Sequence, residues 1–256
     1  MRTKKPSGAQ APGAEQERLV AIRLEALEAV RQNDFDGLKN IVERWPEVCA
    51  REARPQGLDW PAPEGSGRPR DAGRGHDLLG AAIRQRRAKM TDLLAPLSNA
   101  RAASSFGETP LMMALDLDDA AALKMIKTLL PLSDPDMQSD RGMTALMLAA
   151  EAGDAKAVEL LLPVTDARKA GAGGRTALHF AVAGGCWTGK CVEMLLPKSD
   201  VEAKDEEGLT ALEIAGRDGH EANARAILAF MASEERKILA ASTGHGQSLP
   251  GGPLRL

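Results

Sequence analysis

A five-residue signature, Gly-x-Thr-(Ala/Pro)-Leu, recurs four times between residues 107 and 212. It begins at Gly107, Gly142, Gly174 and Gly208, and these glycines lie 35, 32 and 34 positions apart. A period of this size means that one small structural unit is repeated, and that each copy buries its apolar face against its neighbours. This region is therefore expected to fold as an array of repeats.

The least altered copy runs from Gly142 to Pro163 and predicts two short helices. Thr144 is a suitable N-cap for a helix of Ala, Leu and Met residues, and Gly153 can adopt the left-handed conformation that closes it. Asp154 offers the next N-cap, and Pro163 prevents the second helix from continuing. Helices this short need neighbours to be stable, which the other copies supply.

A period near 33 with a turn and two helices per unit resembles the ankyrin family. Thr176-Ala177-Leu178-His179 is similar to the family's Thr-Pro-Leu-His pattern, and the resemblance covers roughly residues 20 to 235. It implies an all-α solenoid of stacked helix-turn-helix units with short β-turn or hairpin-like connections, in which His179 ties neighbouring turns by a hydrogen bond. The chain departs from the family after the second helix, where Pro-x-Ser/Thr-Asp replaces the usual Gly-Ala at 131–134, 163–166 and 197–200.

The predicted organisation is a disordered arm (1–16), an ankyrin-repeat domain (17–240) and a disordered tail (241–256). The domain begins with a degenerate cap repeat (18–50), in which Asn33-Asp34 align with Gly153-Asp154. A cap is expected because the end of a stack must present a polar face to water. A loop rich in Pro and Gly (51–74) follows, and then five repeats starting near positions 75, 107, 142, 174 and 208, with short insertions near Asp118 and Cys186.

Composition excludes several classes of function. A net charge of −3, no Tyr and few other aromatic residues argue against nucleic-acid binding. No apolar run is long enough to predict a membrane span. Three cysteines form no paired framework, which favours a reducing compartment. We therefore expect a cytoplasmic protein that contacts neither nucleic acid nor membrane. We also expect a monomer, but the composition carries no signal for the oligomeric state.

The sequence does not predict an enzyme. Gly184 to Lys190 has the glycine and lysine spacing of a phosphate-binding loop, but Cys191 replaces the hydroxyl residue and no strand precedes the segment. Cys186, Cys191 and His179 do not have the spacing of known zinc sites. No catalytic, cofactor-binding or metal-binding residue is therefore assigned, and no cofactor is expected.

The resemblance also implies where a partner binds. Ankyrin proteins usually recognise ligands with the residues flanking the signature glycine and with the end of the first helix of each repeat. Met143, between Gly142 and Thr144, is expected to display its side chain outward. Carried over by position, the candidate partner-binding residues are Arg74, His76, Arg84, Phe106, Glu108, Asp116, Asp140, Arg141, Met143, Glu151, Arg175, Glu206, Glu207, Leu209 and Arg217.

Charge is distributed unevenly along the repeats. Residues 51–90 carry nine basic and five acidic side chains, whereas residues 200–235 carry ten acidic and three basic ones. Such a distribution can orient a charged partner, and the acidic end around Glu206-Glu207 should prefer a basic patch.

The predicted function is a non-catalytic module that binds a protein partner through the concave face of the stack. The alternative is a secreted bacterial effector that engages a host protein after delivery through its N-terminal arm.

Overall fold

Buried threonines determine where the first helix of several repeats begins. The side-chain oxygens of Thr109, Thr144 and Thr210 each accept a hydrogen bond, at 3.3 Å, from the backbone N–H three residues further on. Each bond satisfies an amide that has no partner within the first helical turn. The predicted N-cap at Thr144 is thus confirmed.

The second helix of a repeat begins after a left-handed residue and ends shortly before a proline. Gly153 has φ +71°, and in the cap its aligned counterpart, Asn33, has φ +61°. At the other end, the Ser133 hydroxyl donates to the carbonyl of Leu129 at 2.8 Å, and the Thr165 hydroxyl donates to that of Leu161 at 2.9 Å. In these two repeats the Pro-x-Ser/Thr-Asp motif is therefore a helix stop in which the hydroxyl satisfies a terminal carbonyl.

The computed structural model describes residues 12–49, 78–104, 106–117, 120–184 and 189–243. Within these ranges it has helices, short 3-10 segments, turns and one isolated antiparallel bridge between Lys204 and Thr210. The α-helices are α1 (Pro12–Gln32), α2 (Phe35–Arg44), α3 (Leu78–Arg84), α4 (Ala88–Leu94), α5 (Pro110–Leu115), α6 (Ala120–Leu129), α7 (Ala145–Ala152), α8 (Ala155–Leu161), α9 (Ala177–Ala183), α10 (Lys190–Leu195), α11 (Ala211–Arg217) and α12 (Glu221–Thr243).

The chain divides into two compact units. The first comprises Met1–Ala149 and Lys156–Asp166, and the second comprises Ala150–Ala155 and Ala167–Leu256. In the first unit, α1 packs on α2 and α3, α3 packs on α4 and α5, and α4 packs on α2 and α6. Its core contains fully buried side chains contributed by every helix pair, among them Leu38, Leu79, Ile83, Met90, Leu111, Met125 and Leu146.

The second unit repeats the same arrangement. Here α9 packs on α10 and α11, and α12 packs on α10 and α11. Leu178, Val192 and Ile227 are fully buried between these helices. Helix α12 extends to Thr243, so it includes the first three residues of the predicted disordered tail.

The helical part of the chain also begins earlier than the predicted arm allows. Helix α1 starts at Pro12, a residue whose fixed φ suits the first helical position. The loop at 51–74 and the insertion sites at Asp118 and Cys186 lie outside the described residues. Among the residues that are described, no helix combines the length and the apolar character needed to cross a membrane.

Candidate functional site

The turn that precedes each first helix has the same backbone hydrogen bond in four repeats. The N–H three residues before the signature glycine donates to the carbonyl of the residue after that glycine, at 2.8 to 3.0 Å. The pairs are Ser104 to Glu108, Ser139 to Met143, Gly171 to Arg175 and Asp205 to Leu209. Each turn therefore closes into a tight, hairpin-like tip, and the candidate residues around the glycine are held on it.

In the first unit, two such tips lie side by side. The Asp140 N–H donates to the carbonyl of Phe106 at 3.1 Å. Gly107, with φ +71°, must be glycine here, because a Cβ at this position would lie 2.5 Å from the Asp140 nitrogen. We call Phe106, Asp140 and Arg141 the first tip cluster.

The first tip cluster presents an apolar ring beside two charges of opposite sign. Phe106 is 42% exposed, and both Asp140 and Arg141 are exposed. Neither charged side chain forms an ion pair or side-chain hydrogen bond with a residue that the structure describes. Inside the tips, neutral serine hydroxyls hold the turns. The Ser104 oxygen accepts hydrogen bonds from the Phe106 and Glu108 amides, and the Ser139 oxygen accepts one from the Met143 amide.

The expectation that Met143 points outward is wrong. Its side chain is 4% exposed and belongs to the core of the first unit. The Met143 amide and carbonyl both bond to Ser139, at 3.3 and 2.9 Å. These bonds hold Met143 in the closing arm of the turn, where its side chain is covered, while the neighbouring Arg141 stays exposed.

In the second unit, the candidate residues Arg175, Glu207 and Arg217 form ion pairs. Arg175 Nε lies 3.2 Å from Asp205 Oδ2, and its Nη2 lies 3.5 Å from Glu207 Oε1. Arg217 lies 3.1 Å from Glu207 and 2.9 Å from Asp218. These five residues form what we call the second tip network.

Asp205 anchors the second tip network. Its side chain is 1% exposed, and its Oδ1 accepts hydrogen bonds from the amides of Glu207 and Leu209, each at 3.0 Å. Burial acts to raise the pKa of Asp205, but the hydrogen bonds from Leu209, Arg175 and Glu207 together hold that pKa below its ordinary value. The carboxylate is therefore ionised at neutral pH, with one oxygen bonded to its own turn and the other to Arg175.

Sequence reasoning missed Asp205, although a signal for it exists. The position three before the signature glycine is Ser104, Ser139, Gly171 and Asp205 in successive repeats. In three of these four copies, a side-chain oxygen at this position braces the turn. Comparing this position across the four repeats would have identified Asp205 as a residue that braces its turn.

His179 ties neighbouring turns, as the resemblance implies. Its Nδ1 accepts from the Thr176 amide at 3.2 Å, so the ring hydrogen lies on Nε2, which donates to the Leu209 carbonyl at 3.3 Å. Burial lowers the pKa of His179, and this outweighs the Leu209 carbonyl and Asp205, which act to raise it. The ring is a neutral structural bridge in the second unit.

The other candidates are dispersed. Arg84, Asp116, Glu151 and Glu206 are exposed, whereas Glu108 and Leu209 are half-buried. Arg74 and His76 lie outside the described residues, as does Cys186. Among the described residues, no three His, Cys, Asp or Glu side chains are grouped so that they could hold a metal ion.

Comparison with known proteins identifies the repeats. Residues 117–205 match the family model described as ankyrin repeats in three copies. An ankyrin repeat domain from Acinetobacter baumannii AYE is 21% identical in sequence, with a TM-score of 0.62, and the match covers 80% of this chain and 96% of that one. The ankyrin repeat protein EF0377 is 22% identical, with the same TM-score and the same coverage.

No curated protein matches the chain significantly. The chain contains ankyrin repeats and has the ankyrin-repeat fold.

Proposed function

We propose that this chain is a non-catalytic module that binds a protein partner through the concave face of its repeats, with the first tip cluster as the main contact. Ankyrin repeats generally mediate protein–protein interaction, and the family is typically non-catalytic. The observation that carries the proposal is the exposed Phe106 ring on two hydrogen-bonded tips, beside Asp140 and Arg141, whose charges have no ion-pair partner among the described residues.

The chemistry of the first tip cluster suits a protein surface. Aromatic and Arg side chains dominate the energetics of many interfaces, and Phe loses little conformational freedom when it is buried. The tips are braced by the Ser104 and Ser139 hydroxyls and by the Asp140–Phe106 backbone bond, so little ordering is required on binding. A complementary partner would offer an apolar pocket for Phe106 and a carboxylate for Arg141.

The second tip network is proposed as a weaker contact. Arg175, Arg217 and Glu207 already satisfy one another, so binding a partner charge there would first require breaking these pairs. Glu206 is exposed on the same turn and is the carboxylate that a basic partner group would reach first.

The test is capture of the partner from the native source by the full chain, identified by mass spectrometry. The variant Phe106→Ala/Arg141→Ala should lose capture while its helical circular dichroism stays unchanged. Met143→Ala is left out of this variant because Met143 is a core residue.

A matched control is Leu97→Ala/Arg101→Ala, which removes another exposed apolar side chain and another exposed arginine from the same unit. We expect the control to bind as the wild type does. Equal capture by wild type and by Phe106→Ala/Arg141→Ala would exclude the first tip cluster as the contact.

The same proposal includes a cytoplasmic monomer that binds neither nucleic acid nor membrane. Composition supports the compartment and the absence of these two ligands, and the monomeric state is part of the proposal without such support. Delivery into a host cell through residues 1–16 stays a separate prediction. Fusion of residues 1–20 to a translocation reporter tests it, because a cytoplasmic module gives no signal.

A further inference from the structure

A groove of about 440 Å³ runs between α1 and α2 of the cap repeat in the first unit. On each helix, the side chains that line it recur at spacings of three and four residues, so one face of α1 and one face of α2 form its two walls. The lining residues are Ile22, Glu25, Glu28, Ala29 and Gln32 from α1, and Asp34, Gly37, Asn40, Ile41, Arg44 and Trp45 from α2 and its ends.

This surface is more apolar than a terminal cap requires. The outer face of a capping repeat is expected to be polar, because no further repeat covers it. Yet Ile22, Ile41 and Trp45 line the groove and are only half-buried. Covering these three side chains would remove further apolar surface from water, which favours an occupant.

Among the side chains that line the groove, carboxylates outnumber guanidinium groups. Three carboxylates line it, from Glu25, Glu28 and Asp34, against the single guanidinium of Arg44. Glu28 bonds to Gln32 at 2.9 Å and lies 3.6 Å from Arg31, and Asp34 caps the Gly37 amide at 2.9 Å.

The Glu25 carboxylate has no partner among the described residues, and it is exposed. The groove therefore offers one unused carboxylate next to two that are only partly used. A cationic group is the complement that this arrangement fits best.

The aromatic end of the groove already binds cations. The guanidinium carbon of Arg18 lies 4.6 Å from the centroid of the Trp45 ring, and that of Arg44 lies 5.8 Å from it. Contacts at these distances are cation–π interactions. The unused binding capacity therefore lies at the acidic end of the groove and along its aliphatic side chains.

We propose that this cap groove binds a short basic segment of a partner protein, with a Lys or Arg on Glu25 and Glu28 and a neighbouring aliphatic side chain on Ile22 and Ile41. A second copy that docks groove to groove is a poor occupant, because it would bring the same carboxylates against the first. This surface shares no residue with the first tip cluster, so it is a second docking site.

The test is fluorescence anisotropy of the full chain with a short fluorescein-labelled peptide in which Leu and Arg alternate. The reference probe has Glu in place of each Arg. The Leu–Arg peptide should bind more tightly than the Leu–Glu peptide, and its affinity should fall as salt is added. The variant Glu25→Gln/Glu28→Gln should weaken binding by about tenfold, since two partly exposed ion pairs are lost.

A matched control is Glu43→Gln/Glu47→Gln, which removes two exposed carboxylates from the same cap outside the groove. Its affinity for the Leu–Arg peptide should equal that of the wild type. An equal loss in both variants would overturn the proposal, because it would show attraction by net charge alone.

Two further results would assign the groove to another occupant and overturn the proposal. Binding of the peptide only after deletion of residues 1–11 would assign it to the chain's own N-terminal segment. A dimer in sedimentation velocity that Glu25→Gln/Glu28→Gln dissociates would assign it to a second copy.

Discussion

The turn tips of the two units share a backbone but differ in what their charges do. In the first unit, serine hydroxyls brace the turns, and Asp140 and Arg141 stay unpaired among the described residues. In the second unit, a buried carboxylate braces the turn at Asp205 and pairs with Arg175, and further ion pairs surround them.

The difference shows how one residue in a repeat can change the use of a whole tip. A neutral hydroxyl satisfies the turn amides without attracting an arginine, which leaves nearby charges available to a partner. A buried carboxylate must be paired, and its partner is then lost to recognition. Equivalent positions in successive repeats are therefore not equivalent binding positions.

The largest expected effect separates a buried side chain of the two tips in the first unit from an exposed one. Met143→Ala should lower the free energy of unfolding by about 2 to 5 kcal/mol, because a nearly fully buried side chain leaves a cavity. Phe106→Ala, on the exposed side of the tips, should change it far less. Urea denaturation followed by circular dichroism measures both free energies, and a loss for Met143→Ala as small as that expected for Phe106→Ala would show that Met143 is not a core residue.

A smaller effect is expected when the carboxylate that braces the Asp205 turn is replaced by a serine hydroxyl, as in the turns of the first unit. Asp205→Ser keeps an oxygen for the turn amides but removes the partner of Arg175, and it should cost about 1 to 3 kcal/mol of stability. Glu206→Ser changes the neighbouring exposed carboxylate and is the control, with little expected effect. If the two variants unfold at the same urea concentration, the buried carboxylate contributes nothing.

The pH dependence of the stability difference between wild type and Asp205→Ser tests the role of the Asp205 charge. The pKa of Asp205 is lower in the folded chain than its ordinary value of 3.8, so the unfolded state takes up protons first as the pH falls. The stability that Asp205 contributes should be complete above that value and should be lost as the pH falls through the folded pKa. Urea denaturation of wild type and Asp205→Ser, from neutral pH down into the acid range, measures this contribution. A difference in the free energy of unfolding that does not change with pH would show that the Asp205 charge does not contribute to stability.

Much of the fold could be predicted, because it depends on local signals that repeat. The N-cap at Thr144, the left-handed closure at Gly153 and the helix stop before Pro163 each need only neighbouring residues. The family's pattern likewise predicts that His179 bridges neighbouring turns, which the bond to Leu209 confirms.

The candidate site could be predicted only in part. The signature places Phe106, Asp140 and Arg141 on turn tips, and all three are exposed there. It does not say which way a turn side chain points, and so the prediction for Met143 was wrong. It also does not show that Arg175 will meet Asp205, thirty positions away, since that pairing depends on how two turns come together.

The sequence by itself determined the repeat, its period and the helix boundaries of the copy from Gly142 to Pro163, because caps, glycines and prolines act over three or four residues. Only the tertiary structure decided which charges remain available, because burial and pairing depend on side chains that are distant in the chain. The exposed Arg141 and the paired Arg175 look alike in the sequence, each beside a signature glycine. They differ because a buried carboxylate lies within reach of Arg175, whereas no described carboxylate pairs with Arg141.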